Sequence, residues 1–367
     1  LYPRGGRRVD AAFTIFYMGI NLGAFFSPLI CGTLAEKIDF KWGFLAAGIG
    51  MVIGLFTFIL QKNRLLVDQD NKPIGMPSKP FGITQIGIVL LAIAVIFFFM
   101  NFKTMFNSDL DIIGYLIYGA MIVMPLIILT DKSLTKDERD RIMVIFILAF
   151  FVIFFWGAFE QAGASLTIFA DRQTDRNLFG WEMPASYFQS VNPLAIILLA
   201  PLFSSLWLNL GNRGKEPSSP KKMAIGLALV SLGYVVIAFA VYGLGIADKV
   251  SMFWLIALYV IHTMGELCLS PIGLSMVSKL SPIRFSSLLM GTWFLANAAA
   301  NKFAGTLSAL IPGGGENGEA AKTTSFLGFQ IANLFDFFML FIVMCGVAAA
   351  ILFVLSRWLE KRMHGIN

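Results

Sequence analysis

Two carboxylates stand where hydrocarbon would be expected. Glu160 sits in Phe-Phe-Trp-Gly-Ala-Phe-Glu-Gln-Ala-Gly, with about ten apolar residues before it, and Glu266 in Gly-Glu-Leu-Cys-Leu-Ser-Pro. A charge at membrane depth costs several kcal/mol unless it faces a cavity or a partner, so each is a functional candidate by default. Burial favours the neutral form of a carboxyl group and a nearby cation the charged form, so an acid whose partner comes and goes takes up and releases a proton. The competing reading of Glu160 is a static ion pair. Pro271 follows Glu266 and removes a backbone hydrogen bond. A carboxylate beside such a hinge suits a site that opens and closes; the competing reading is pairing with a neighbouring helix. His262, one turn before Glu266, reads as a proton relay, half a metal site or a hydrogen-bonded core residue. Lys302 reads as functional or as snorkelling outward, and Asp336 as a cap, an ion pair or a transport residue. Asn21 and Asn192 offer the donors and acceptors that a small-molecule site needs, or hydrogen bonds between helices. Trp156 and Trp293 stand away from the interfacial belts, where an indole lines a cavity or fills a core.

The elements that must position these groups follow from composition. Of 367 residues, 57% are hydrophobic and 14% charged, with 36 Phe and 17 Met, and mean hydropathy is +0.76. Those values exclude a water-soluble globule and a disordered chain, and make membrane lipid the solvent. Ten apolar runs reach the length of a span, at about 11–34, 43–61, 81–101, 110–130, 142–170, 187–210, 223–243, 251–278, 285–310 and 327–355. None alternates as a barrel strand does, so the expected fold class is an all-α membrane protein. Twenty Lys and Arg fall in the loops on one side and seven on the other, with Lys302 inside the ninth run. The positive-inside rule then places both ends in the cytoplasm.

Other classes recede. The Gly-rich loop 312–318 lacks the Lys-Ser/Thr ending of a phosphate loop, which argues against an ATP-driven pump. The net charge of +6 is a matter of orientation in the membrane and implies no nucleic-acid partner. Cys31, Cys268 and Cys345 lie in apolar runs without metal spacing and read as packing residues. Two histidines far apart supply neither a metal site nor a catalytic cluster, so no enzyme is expected. The first ten residues lack the regions of a signal peptide, and the sequence reads as beginning in mid-protein.

Several of these runs resemble the proton-dependent oligopeptide transporters, a branch of the major facilitator superfamily. Asp-Ala-Ala-Phe-Thr-Ile-Phe-Tyr-Met-Gly-Ile-Asn-Leu-Gly-Ala-Phe, residues 10–25, is similar to the signature that opens the family's fifth core helix. Residues 155–163 resemble its seventh helix, 188–193 its eighth, 265–271 its tenth and 290–295 its eleventh. The resemblance implies a partial major facilitator fold. Residues 1–62 would be the last two helices of the N-terminal bundle. Residues 63–140 would be a cytoplasmic linker with an extra inter-bundle helix pair, and 141–367 the C-terminal six-helix bundle. Core helices one to four, with the family's Glu-x-x-Glu-Arg-Phe-x-Tyr-Tyr motif and fourth-helix lysine, are not found in these residues. They would be the missing partner, supplying the cations that meet the glutamates.

Carried over residue by residue, the resemblance implies proton coupling at Glu160, paired with the first-helix arginine, and at Glu266. Glu266 would also face the amino terminus of a di- or tripeptide, or the fourth-helix lysine. Asn21 and Asn192 would hydrogen-bond the peptide backbone, Trp156 and Trp293 would shape side-chain pockets, and Ser270 would lie near the ligand's amino-terminal end. Asp171 and Arg172 would belong to an extracellular gate, with solvated interface charges as the competing reading. The implied activity is proton-coupled import of di- and tripeptides by alternating access across a bacterial inner membrane, with the proton gradient as energy source and no cofactor. The alternatives are a same-family carrier of nitrate or another small anion, and a non-transporting membrane enzyme or scaffold.

Overall fold

Helix is the only spanning structure open to these runs, and sequence marks where several begin. Residues 7–67, 82–106, 110–245, 248–312 and 324–366 are described by the computed structural model, side chains from residue 17 onward with Lys103 excepted. Most of the linker after the second run and the Gly-rich loop fall outside them. The first run forms α1 (Arg7–Ser27), a π-helical turn at Pro28–Gly32 and α2 (Thr33–Lys37). Pro28 has no N–H to give to the preceding turn, and the helix widens there. Next come α3 (Phe40–Leu65), α4 (Ile83–Phe106) and α5 (Ile112–Leu129). Asp39 caps α3 through the Lys41 N–H at 2.8 Å, and Asp111 caps α5 through the Gly114 N–H at 3.0 Å.

The fifth run begins with a capping box, in which Thr135 Oγ1 accepts from the Glu138 N–H and Glu138 accepts from the Thr135 N–H at 2.9 Å. It is not one continuous α-helix. After α6 (Lys136–Phe159) the chain tightens into a 3₁₀ turn at Glu160–Gly163 and resumes as α7 (Ser165–Gln173). Beyond it, β1 (Thr174–Asp175) and a hairpin of β2 (Asn177–Leu178) and β3 (Trp181–Glu182) lead to a second 3₁₀ segment, Ala185–Ser190. That segment enters α8 (Val191–Asn212), followed by α9 (Ser219–Val241), β4 (Val250–Ser251), α10 (Met252–Leu280) and α11 (Ser286–Ser308). β1 pairs in parallel with β4.

The tenth run starts later than the sequence indicates. β5 (Thr324–Phe326) and β6 (Phe329–Ile331) form a hairpin, and α12 (Leu334–Arg362) begins only after it. The tip residues Leu327 and Gly328 both have positive φ, 48° and 84°, a primed turn that an apolar count cannot distinguish from helix. Nine stretches among the described residues are long and apolar enough to cross a membrane. The helix at the ninth run, α11, has 23 residues but is not among them, being rich in small and polar residues such as Asn297, Asn301 and Lys302.

One hydrophobic core joins α6, α9, α10, α11 and α12, from Ile142 and Leu148 through Tyr234 and Leu255 to Phe341 and Leu352. Within it α9 packs between α10 and α12, and α6 packs on α11; α8 lies against α10 and α1. Close approach at the α9–α10 crossing is set by two glycines. A Cβ on Gly226 would lie 2.8 Å from the Gly265 carbonyl oxygen, and a Cβ on Gly265 2.8 Å from that of Gly226. By contrast α3 and α4 present exposed Phe44, Leu60, Leu91 and Phe97, the surface expected against hydrocarbon. At the end rich in cations, Arg362 pairs with Asp140 at 2.5 Å, Arg284 with Glu138 at 2.9 Å and Lys221 with Glu360 at 2.8 Å, linking the ends of α6, α9, α11 and α12.

Candidate functional site

The 3₁₀ turn that interrupts the fifth run places Glu160 at the end of α6, half-buried. Non-helical backbone at membrane depth is tolerated where it lines a cavity, and Glu160 lines one. A cavity of about 170 Å³ is bounded by Phe159, Glu160, Gln189, Asn192, Tyr259 and His262 among others. Among the described residues the Glu160 carboxyl group has no hydrogen-bond or ion-pair partner. The volume is below the roughly 300–1,000 Å³ of small-molecule sites, and these residues form a polar wall rather than an enclosed site.

Asn192 joins the second carboxylate to this wall. It lies in the first turn of α8, and its Nδ2 donates to Glu266 Oε2 at 2.8 Å and to Thr263 Oγ1 at 3.0 Å. Thr263 in turn donates to the Tyr259 carbonyl at 2.8 Å. Glu160, Asn192 and Glu266 are therefore brought together, the first two on the cavity and the third through the amide.

The other sequence candidates lie elsewhere. Asn21 is buried and donates to the Tyr17 carbonyl one turn back, at 2.9 Å. Trp156 stands edge-on to Phe155 and Phe159, with centroids 5.3 and 5.2 Å away. Trp293 is buried against the Gly273 backbone at the crossing of α10 and α11. Ser270 is half-buried one turn beyond Glu266. None of these four lines the small cavity. Asp171 and Arg172 line a separate opening of about 820 Å³, with Glu36, Lys37, Arg176 and Glu182. There Arg176 forks between Asp171 at 2.8 Å and Glu182 at 3.1 Å, while Arg172 is exposed.

His262 is enclosed, its ring tilted against that of Tyr234 with centroids 4.9 Å apart, and its Nε2 lies 3.1 Å from the Val230 carbonyl. A carbonyl only accepts, so Nε2 carries the proton. Among the described residues no three His, Cys, Asp or Glu side chains converge as a metal set. Lys302 pairs with Asp111 at 2.6 Å, tying α11 to the start of α5. This bond, aided by the Gly114 N–H, holds the Asp111 carboxyl below its usual range. Asp336 accepts from the Ala332 N–H while Asn333 accepts from the Asp336 N–H, a cap at the start of α12.

Three polar residues of these sites carry little mark in the sequence. Thr263 stands three before Glu266, a helical neighbour by spacing, and Gln189 belongs to the polar cluster Gln-Ser-Val-Asn. Glu36 lies in what reads as a loop. Its two carboxylate oxygens accept from the N–H groups of Ala185 and Ser186, both at 2.8 Å, at the start of the 3₁₀ segment that carries Gln189. Thr33 and Tyr187, 2.9 Å apart, and the Ser190 hydroxyl on the Phe25 carbonyl at 2.8 Å extend the same seam.

An all-α protein with membrane-length helices and a polar wall at a broken helix has the makings of a multi-pass integral protein of major facilitator type. The POT family model, PTR2, matches residues 1–324, and the chain belongs to that family. It is 38% identical over 301 residues to an uncharacterized transporter, YclF, of Bacillus subtilis, covering 82% of this chain and 61% of that protein. It is 35% identical over 323 residues to peptide transporter YePEPT of Yersinia enterocolitica, covering 84% and 62%. The crystal structure of a peptide transporter POT in complex with sulfate superposes with a TM-score of 0.80 at 31% identity, over 99% of this chain and 71% of that one. A POT family transporter in complex with 5-aminolevulinic acid gives 0.76 at 32% identity, over 98% and 72%. The chain spans about three-fifths of the length of the curated relatives it matches. With nine membrane-length apolar stretches among its described residues, it is a multi-pass protein of the inner membrane.

Proposed function

We propose that this chain serves a secondary active transporter that imports di- and tripeptides with protons, by alternating access. The observation that carries the reading is the wall built from Glu160, Asn192 and Glu266. It sets two carboxylates and an amide together at a helix break, where a zwitterion with a peptide backbone finds partners for its ammonium and N–H groups. Relatives named as peptide transporters and di-/tripeptide transporters support the substrate class. A proton that neutralises a buried glutamate would weaken its hold on a cation of the other bundle and let the bundles rock about the site. Glu160 and Glu266 take the proton-coupling role, Asn192 and Glu266 the substrate contacts, and Asn21, Trp156, Trp293 and Ser270 supporting places around the ligand. Asp171 and Arg172 belong to the outer gate. The proton gradient supplies the energy, without a cofactor.

The test is uptake of a labelled dipeptide into proteoliposomes that carry the full-length protein under an imposed proton gradient. Unlabelled dipeptide should compete and nitrate should not. Glu160→Gln and Glu266→Gln should each abolish uptake or free it from the gradient. Absence of proton-dependent dipeptide uptake overturns the reading.

A further inference from the structure

We propose that Thr263 is a positioning residue of this site, fixing which way the Asn192 amide faces. An asparagine amide is nearly symmetric in shape, and only its partners decide where nitrogen and oxygen lie. One partner, Glu266, does not decide the matter alone. A carboxylate requires the amide nitrogen, but a protonated carboxyl donates equally well to the amide oxygen. Thr263 removes that freedom. It is fully buried, and its hydroxyl proton is committed to the Tyr259 carbonyl one turn back. Toward Asn192, 3.0 Å away, the hydroxyl offers only a lone pair. The amide nitrogen must therefore face Thr263 in either protonation state of Glu266.

The consequence lies on the cavity side. With one N–H on Thr263 and the other on Glu266, the amide has spent both donors, and its carbonyl oxygen is the one polar atom left for a ligand. Asn192 thus remains an acceptor, selective for an N–H or ammonium group, through a change of charge at its neighbour. Without the Thr263 hydroxyl the amide is free to turn when Glu266 gains a proton and to present a donor where an acceptor is needed. Glu160, His262 and Tyr259 line the same cavity, but none of them hydrogen-bonds this amide in place of the hydroxyl.

The kinetic part of the test rests on the peptide-transport reading; the spectroscopic part does not. Thr263→Val keeps the shape and removes the hydroxyl, whereas Thr263→Ser keeps the hydroxyl. In the full-length protein, Thr263→Val should raise KM for dialanine about tenfold, the equivalent of one oriented hydrogen bond, with Vmax changed less than about twofold. Thr263→Ser should restore the parent KM. Infrared difference spectra of the purified protein, with the Glu266 band assigned by its loss in Glu266→Gln, should show that band displaced in Thr263→Val and returned in Thr263→Ser. An unmoved Glu266 band in Thr263→Val, or a Ser variant that behaves like Val, overturns the proposal. If the parent protein takes up no dipeptide, the transport reading fails while the infrared comparison still decides the role of Thr263.

Discussion

Gly265 precedes Glu266, and its lack of a side chain governs where that carboxylate stands. An added Cβ would meet the Gly226 carbonyl oxygen at 2.8 Å, where ordinary contact begins near 3.4 Å, so α9 and α10 must separate by about 0.6 Å. The obstacle is backbone and cannot rotate away. Overpacking of this kind costs about 1–3 kcal/mol, against a gain of up to about 1 kcal/mol from replacing a helical glycine by alanine. Gly265→Ala should therefore lower stability by roughly 1 kcal/mol. A shift of the same 0.6 Å also disturbs the 2.8 Å bond between Asn192 and Glu266, so uptake should fall further than stability does. Gly226→Ala meets the Gly265 carbonyl at the same distance and should cost as much stability, with a smaller effect on uptake. Gly291 and Gly305 in α11 provide the control, since nothing lies within 4 Å of a Cβ at either. Alanine there should be neutral or stabilising by up to about 1 kcal/mol. Thermal unfolding in detergent, with dipeptide uptake in parallel, reads all four. Should Gly265→Ala and Gly226→Ala stabilise as the α11 controls do, the close crossing does not exist and the reasoning fails.

Four further outcomes are expected. Asp111→Asn keeps the cap of α5 but removes the charge facing Lys302 and should cost under about 1 kcal/mol, whereas Asp111→Ala removes both and should cost about 1 kcal/mol more; a double-mutant cycle with Lys302→Met separates the two parts. Because the folded-state carboxyl of Asp111 lies below its ordinary range, its contribution is complete above about pH 4 and is lost as pH falls through the folded value, so melts of Asp111→Asn and the parent should converge in acid. Thr135→Ala loses the capping box of α6 and should destabilise by about 1 kcal/mol, an equal melting temperature counting against it. Glu36→Ala leaves the Ala185 and Ser186 N–H groups to water and should loosen the seam between α2 and the 3₁₀ segment by about 1 kcal/mol, with Glu36→Gln, which keeps one acceptor oxygen, recovering part of it. Proteolytic sensitivity of residues 176–186 would report that loosening, and equal sensitivity in parent and Ala variant would contradict it.

Much of the fold was legible because a bilayer leaves the chain few choices. Apolar length locates the helices, and Glu160, Glu266 and Asn192 stand out as polar groups where hydrocarbon should be. Less legible was whatever depends on direction rather than depth. Trp293 and Asn192 look alike as mid-depth candidates, yet one packs on Gly273 and the other turns to a cavity, and only the crossing angle of the helices separates them. The late start of α12 rests on two positive φ angles at Leu327 and Gly328, a local turn preference hidden inside an apolar run. Glu36 was invisible for a different reason, because its partners are backbone amides about 150 residues away with no side-chain signature.

The 3₁₀ turn at Glu160–Gly163 also offers an observable of its own. A continuous spanning helix locks its amides away from water, but a break beside a polar cavity leaves a few peptide groups with neither regular helical partners nor a lipid shield. Deuterium uptake at those few residues would then serve as a clock for opening of the cavity. It would register each exposure to water even when no ligand is present, and would give the rhythm of the empty protein by itself.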